Sequence, residues 1–79
     1  MNEVINNKGE VFFESEGYLR SLNIETGYGF LVSIDEDKDI YLHYTQFIGD
    51  FKQLKPGDRI KFLYKKHNKG LRAFQASKI

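Results

Sequence analysis

With 79 residues and no cysteine, the chain has room for one small domain and excludes disulfide staples, thiolate metal sites and a cysteine nucleophile. Its formal net charge of +1 hides a division: residues 1–51 hold three basic against ten acidic residues, a net of −7, and residues 52–79 hold nine basic against Asp58 alone, a net of +8. A basic C-terminal part can neutralise phosphate, but lysine-rich strands also simply stay soluble and resist edge pairing, and charge alone favours that second reading.

Residues 1 to about 9 are polar and asparagine-rich, with no basic stretch leading into an apolar run. They read as a flexible arm, not as a signal peptide. No apolar stretch approaches the ~20 residues of a membrane span. Val11-Phe12-Phe13 is either a strand of its own or the start of one running past Gly17, where a bulge or bend is expected, into residues 18–22. A turn over residues 23–27 precedes a strand over 28–34, a charged hairpin loop over 35–38 and a strand over 39–44. Residues 45–54 are irregular, with a helical turn near 45–47. Lys55-Pro56-Gly57-Asp58 is a strong turn signal. Residues 59–65 alternate basic with apolar side chains, residues 66–70 form a loop, and 71–79 are a last strand with Ala73, Ala76 and Ile79 facing inward.

Five short strands, no helix of useful length and regularly spaced turn signals predict an all-β fold. The order of a hairpin-rich sheet, a longer connection and a closing hairpin fits a five-stranded antiparallel Greek-key barrel of the OB type, with residues 1–10 as a short extension and 11–79 as the domain.

Strand alternation puts Tyr28 and Phe30 on one face, and Tyr41 and His43 on one face of the next strand. If the two strands pair, four flat rings lie side by side. These rings are either core or a ligand surface. Leu31, Ile40 and Leu42 already supply an aliphatic interior, and no helix is predicted to cover a second apolar face, so a stacking platform for single-stranded nucleic acid is the better reading. Gly27 and Gly29 serve as turn glycines, as points where bases approach the backbone, or as both. No His or Cys stands at ligand spacing to His43, and the alternating Asp35, Asp37 and Asp39 lack the glycine and glutamate of a calcium loop. No nucleophile–base pair, carboxylate dyad or phosphate loop appears. The expectation is therefore no metal, no cofactor and no enzymatic activity.

The motifs resemble those of the cold-shock domain family. Gly27-Tyr28-Gly29-Phe30-Leu31 is similar to the family's first ribonucleoprotein motif, K-G-[FY]-G-F-I, and Ile40-Tyr41-Leu42-His43-Tyr44 to its second, V-F-V-H-F. Gly17 and Asn23 match its opening segment, residues 51–58 its F-K-x-L-x-x-G-Q, and Lys69-Gly70 with Ala73 and Gln75 its closing segment. The resemblance implies base stacking by Tyr28, Phe30, Tyr41, His43, Tyr44 and Phe51, and backbone or polar contacts by Arg20, Lys52 and Lys69. Tyr18 and Lys65 are possible auxiliaries, and Leu19, Leu31, Ile40, Leu42, Ile60 and Phe62 are the framework. Four positions depart from the pattern: Ser21 replaces a Trp, Leu22 a Phe, Thr26 a Lys and Leu71 a Pro.

The implied partner is single-stranded RNA or DNA, bound with low selectivity by a cytoplasmic monomer acting as a passive RNA chaperone or modulator of transcription or translation. Neither a membrane nor a small-molecule substrate is expected. The alternative is an OB barrel that serves protein interaction and has weakened or lost nucleic-acid binding, which Ser21, Thr26 and the acidic N-terminal part favour.

Overall fold

A computed structural model describes residues 2–35 and 38–79, so Glu36 and Asp37 of the charged loop lie outside the described residues. Six strands follow one another: β1 (Asn2–Ile5), β2 (Val11–Asn23), β3 (Tyr28–Ser33), β4 (Asp39–His43), β5 (Arg59–His67) and β6 (Gly70–Lys78). Two short 3-10 turns, Tyr44–Gln46 and Phe51–Gln53, lie in the connection between β4 and β5.

The sheet runs in the order β1-β2-β3-β4-β6-β5, and a further pairing of β2 with β5 closes it. Five strands thus form a closed barrel, and β1 hangs on the outside. Every pair is antiparallel except β4 with β6, which run parallel through Ile40↔Leu71 and Tyr41↔Arg72. The expected five-stranded barrel is present, but this one of its pairings is not antiparallel. The long connection after β4 carries the chain across the barrel before the β5–β6 hairpin forms, and β6 then returns alongside β4 in the same direction.

The expected loose arm is instead a strand. β1 pairs with β2 from Asn2↔Glu14 to Ile5↔Val11. Asn6 makes the turn: its side-chain oxygen accepts from the backbone N–H groups of Lys8 and Glu10, both at 2.9 Å. Asparagine-rich composition hid a hairpin whose turn needs an asparagine.

β2 is one strand of 13 residues, long enough to wrap the barrel. Its first half pairs with β5 and its second with β3, and Gly17 has a partner on each, Ile60 and Ser33. The irregularity expected at Gly17 falls between Leu19 and Ser21. Gly17 has a different reason to be glycine, because a Cβ there would collide with the Val32 carbonyl.

Alternation decides the interior. Leu19, Leu31, Ile40, Leu42, Ile60 and Phe62 are all buried and form the core with Leu54, Tyr64, Leu71, Ala73 and Ala76. Each buried aliphatic side chain contributes roughly 1.5–3 kcal/mol. Ile79, expected inward, lies past the end of β6 and is 62% exposed.

Candidate nucleic-acid interface

β3 and β4 carry the aromatic side chains as the alternation requires. Gly29, Leu31, Ile40 and Leu42 point into the barrel, while Tyr28, Phe30, Tyr41 and His43 stand half-buried on its outer face. Register pairs Tyr28 with His43 and Phe30 with Tyr41. The rings touch: centroids lie 5.9 Å apart for Tyr28–Phe30, 6.0 Å for Phe30–Tyr41, 5.6 Å for Tyr28–Tyr41 and 6.4 Å for Tyr41–His43. The last two pairs are stacked and the first two edge-on, so the surface is continuous but not flat.

Tyr44 extends this surface. Strand alternation would turn it inward with Ile40 and Leu42, but β4 ends at His43, and the 3-10 turn swings Tyr44 outward to 53% exposure. Its ring lies 4.7 Å from His43, and its backbone N–H donates to the Gly27 carbonyl at 2.8 Å. Gly27 has a φ of +78°, and a Cβ there would come within 2.7 Å of the Tyr44 ring. Gly29 is tight too, since a Cβ would lie 2.5 Å from the Ser21 carbonyl oxygen. Both glycines are buried, so they give room to the protein's own atoms and not to an approaching base.

His43 is fixed by its neighbour. The Thr45 backbone N–H, which can only donate, points at Nδ1 from 3.4 Å, and the Thr45 hydroxyl lies 2.8 Å from the same nitrogen. Nδ1 therefore carries the lone pair and the hydroxyl donates to it, which leaves Nε2–H as the ring's outward donor.

Phe51 departs from expectation. It is 8% exposed and packs in the core cluster, its ring 6.4 Å from Tyr44 and 6.2 Å from Phe47. Its small exposed part lines a cleft together with Tyr44, Thr26 and Lys52.

The predicted cations divide. Lys52 is exposed beside a cleft lined by Tyr44, Thr26 and Ile24, and Lys69 lines a cleft with Phe30 and Tyr41. Among the described residues neither has a carboxylate partner. Arg20 is engaged: its Nη1 donates to both oxygens of Asp39, at 2.7 and 2.8 Å. That pair is exposed and contributes little, and it engages Nη1 alone.

Lys65 is taken as well. Its ammonium donates to Glu10 at 2.6 Å and lies 5.4 and 5.3 Å above the rings of Phe12 and Phe74. It clamps the β1–β2 hairpin to the barrel. The Lys65 hydrogen bond, seconded by one from the Asn6 side chain, holds the Glu10 carboxyl below the usual carboxylate range. Tyr18 is exposed and pairs with Val32, two residues along β3 from Phe30 on the same face.

Ser21 sits where the departure from the family pattern matters. It is exposed and is the register partner of Phe30, so it shares the platform's face without a ring. One residue that the sequence reading missed also belongs here. Arg72 pairs in register with Tyr41 on one side and Lys65 on the other, and its guanidinium lies 5.2 Å from the Tyr41 ring centroid. Alternation within residues 71–73 marks Arg72 as outward; its neighbour across a parallel pair is not readable from local pattern.

A closed five-stranded barrel with a ring platform on β3 and β4, bordered by cations, is the architecture of an OB-type nucleic-acid-binding domain. The model of the "Cold-shock" DNA-binding domain matches residues 15–79, and the chain belongs to that family. It is 34% identical over 64 residues to the major cold shock protein of Micrococcus luteus, an alignment covering 80% of this chain and 96% of that one. It is 28% identical over 75 residues to protein lin-28 homolog A of Xenopus laevis, covering 85% of this chain but only 38% of the relative. Among solved structures, Drosophila Unr CSD456 shares the fold, with a TM-score of 0.72 at 19% identity over 85% of this chain and 27% of that one. The family match begins at residue 15, so the β1–β2 hairpin lies largely outside it.

Proposed function

We propose that this chain binds single strands of RNA or DNA on the Tyr28–Phe30–Tyr41–His43 platform, with Tyr44 as its outer extension. The carrying observation is the platform itself: contiguous half-buried rings on the outer face of a barrel whose interior is already filled by Leu31, Ile40 and Leu42. Bases stack on such rings whatever their identity, so sequence selectivity over most of the surface is low. Lys52 and Lys69 border opposite ends and meet phosphates.

The action is passive. Binding holds strands unpaired by mass action and melts weak secondary structure, in the manner of an RNA chaperone or a modulator of transcription or translation. The chain works as a monomer in the cytoplasm, needs no cofactor or small-molecule substrate, and catalyses no reaction. Among the described residues no helix is long and apolar enough to cross a membrane.

The test is fluorescence anisotropy with labelled oligo-dT or oligo-U against a blunt duplex of equal length. Single strands expose their bases and duplexes do not, so the single strand binds more tightly. Equal or tighter duplex binding overturns the proposal. A second reading, a barrel devoted to protein interaction, is favoured by the ringless Ser21 beside Phe30 and by the tie between Arg20 and Asp39. It predicts weak binding of the single strand or none.

A further inference from the structure

Three arginines stand in this chain, and two are spent on carboxylates: Arg20 on Asp39 and Arg59 on Glu16. Arg72 is different. Among the described residues it has no carboxylate partner, it is exposed, and its guanidinium lies over the Tyr41 ring. Beside it opens a cleft of about 360 Å³ walled by Tyr41, His43, Thr45, Gln46, Arg72 and Phe74. That volume lies within the range of small-ligand clefts, roughly 300–1,000 Å³. Its lining combines the rings of Tyr41, His43 and Phe74 with the polar Thr45, Gln46 and Arg72, which suits a flat heteroaromatic ring with hydrogen-bonding edges.

The donors decide which ring. A guanidinium presents several N–H groups in one plane and accepts nothing. Guanine offers two adjacent acceptors, O6 and N7, which match that fork. Adenine and cytosine place an amino donor at the corresponding edge and meet it donor to donor, and thymine offers O4 alone. In a single strand these edges are unpaired or open to contact. Stacking of Arg72 on Tyr41 restricts the guanidinium before any base arrives, so less freedom is lost on binding.

We propose that the cleft beside Tyr41 is a guanine-preferring nucleobase subsite and that Arg72 reads the base. The inference rests on the platform binding single strands, and it adds one selective position to an otherwise tolerant surface.

The experiment measures wild-type affinity for a short labelled oligo-dT and for a set in which one dG replaces each dT in turn. At one register dG tightens binding about tenfold. A dA at that register brings no gain, and 7-deazaguanine, which lacks the N7 acceptor, forfeits most of it. Arg72→Met keeps an unbranched side chain but removes every donor, and brings the dG:dT ratio to about one; the 7-deazaguanine comparison tests the same contact in unaltered protein. If oligo-dT binds and no register prefers dG, or if the preference survives in Arg72→Met, the subsite is refuted while the platform stands. If no oligonucleotide binds, the platform reading falls and takes the subsite with it.

Discussion

Tyr28 and Tyr41 stack although they are not register partners: their centroids are 5.6 Å apart with planes 27° from parallel, while Tyr28 pairs across the strands with His43 and Tyr41 with Phe30. Sheet twist brings such diagonal neighbours within reach of large side chains. The contact joins two register pairs into one surface, so a base meeting Phe30 meets a ring that is already braced. Rigid rings lose little freedom when a base arrives, which makes the platform preorganised.

Phe30 is the cleanest probe of that surface. It is half-buried and points away from the core, where Leu31 and Leu42 stay in place behind it. Phe30→Ala therefore weakens single-strand binding by roughly 1–3 kcal/mol, as loss of one stacked ring does, and leaves the fold intact. Anisotropy titration with parallel circular dichroism checks both halves. An unfolded variant would mean that the ring is core.

Ser21 makes the complementary case. It faces the platform as the register partner of Phe30 and is exposed, so a larger side chain has solvent to extend into. Ser21→Trp adds a stacking ring and raises affinity by up to roughly 1–3 kcal/mol. A folded Ser21→Trp protein with unchanged affinity would show that the strand end beside Phe30 carries no base.

How far these features were legible from sequence depends on the range of the interaction behind them. Strand alternation placed Tyr28, Phe30, Tyr41 and His43 outward and Leu31, Ile40 and Leu42 inward, because a period of two residues is local information. The parallel pairing of β4 with β6 is not local, and Arg72 escaped notice with it. Phe51 lies on a 3-10 turn whose direction no periodicity gives. The fates of Arg20 and Lys65 were set by Asp39 and Glu10, acids 19 and 55 residues away. Gln75 shows the same limit in the backbone. It adopts a φ of 50° where the β5–β6 register shifts, a conformation with no glycine or asparagine to signal it.

Charge makes a quantitative prediction about salt. Lys52 and Lys69 are without carboxylate partners among the described residues and border the rings, whereas Arg20 and Lys65 are engaged. Few phosphates are therefore neutralised. At about −0.7 per phosphate, the slope of log K against log salt is about −1 to −3, and stacking lets binding survive moderate salt. Lys52→Gln or Lys69→Gln flattens the slope by somewhat under one unit and weakens all sequences alike. A slope that neither variant changes, or one carried by Lys8 or Lys38, would place the phosphates elsewhere.

The last prediction concerns the β1–β2 hairpin, held to the barrel by Glu10 and Lys65. The Lys65 hydrogen bond, followed by that of Asn6, lowers the Glu10 pKa in the folded state. A depressed carboxylate pKa stabilises the fold above the group's unfolded value, and the contribution disappears as pH falls through the folded one. The clamp is thus fully present at neutral pH and lost only on acidification below the ordinary glutamate range, where protonated Glu10 no longer attracts the ammonium. Phe12 and Phe74 stay packed edge to face at 5.2 Å, so the hairpin loosens without the barrel opening. Amide exchange followed by NMR shows this as faster exchange in β1 and in Val11 and Phe12 at low pH, with β3 and β4 still protected. Glu10→Gln reproduces the loosening at neutral pH and removes its pH dependence. Exchange in β1 that is equally fast at neutral and acid pH, or that is unaltered by Glu10→Gln, would mean that the ion pair does not hold the hairpin.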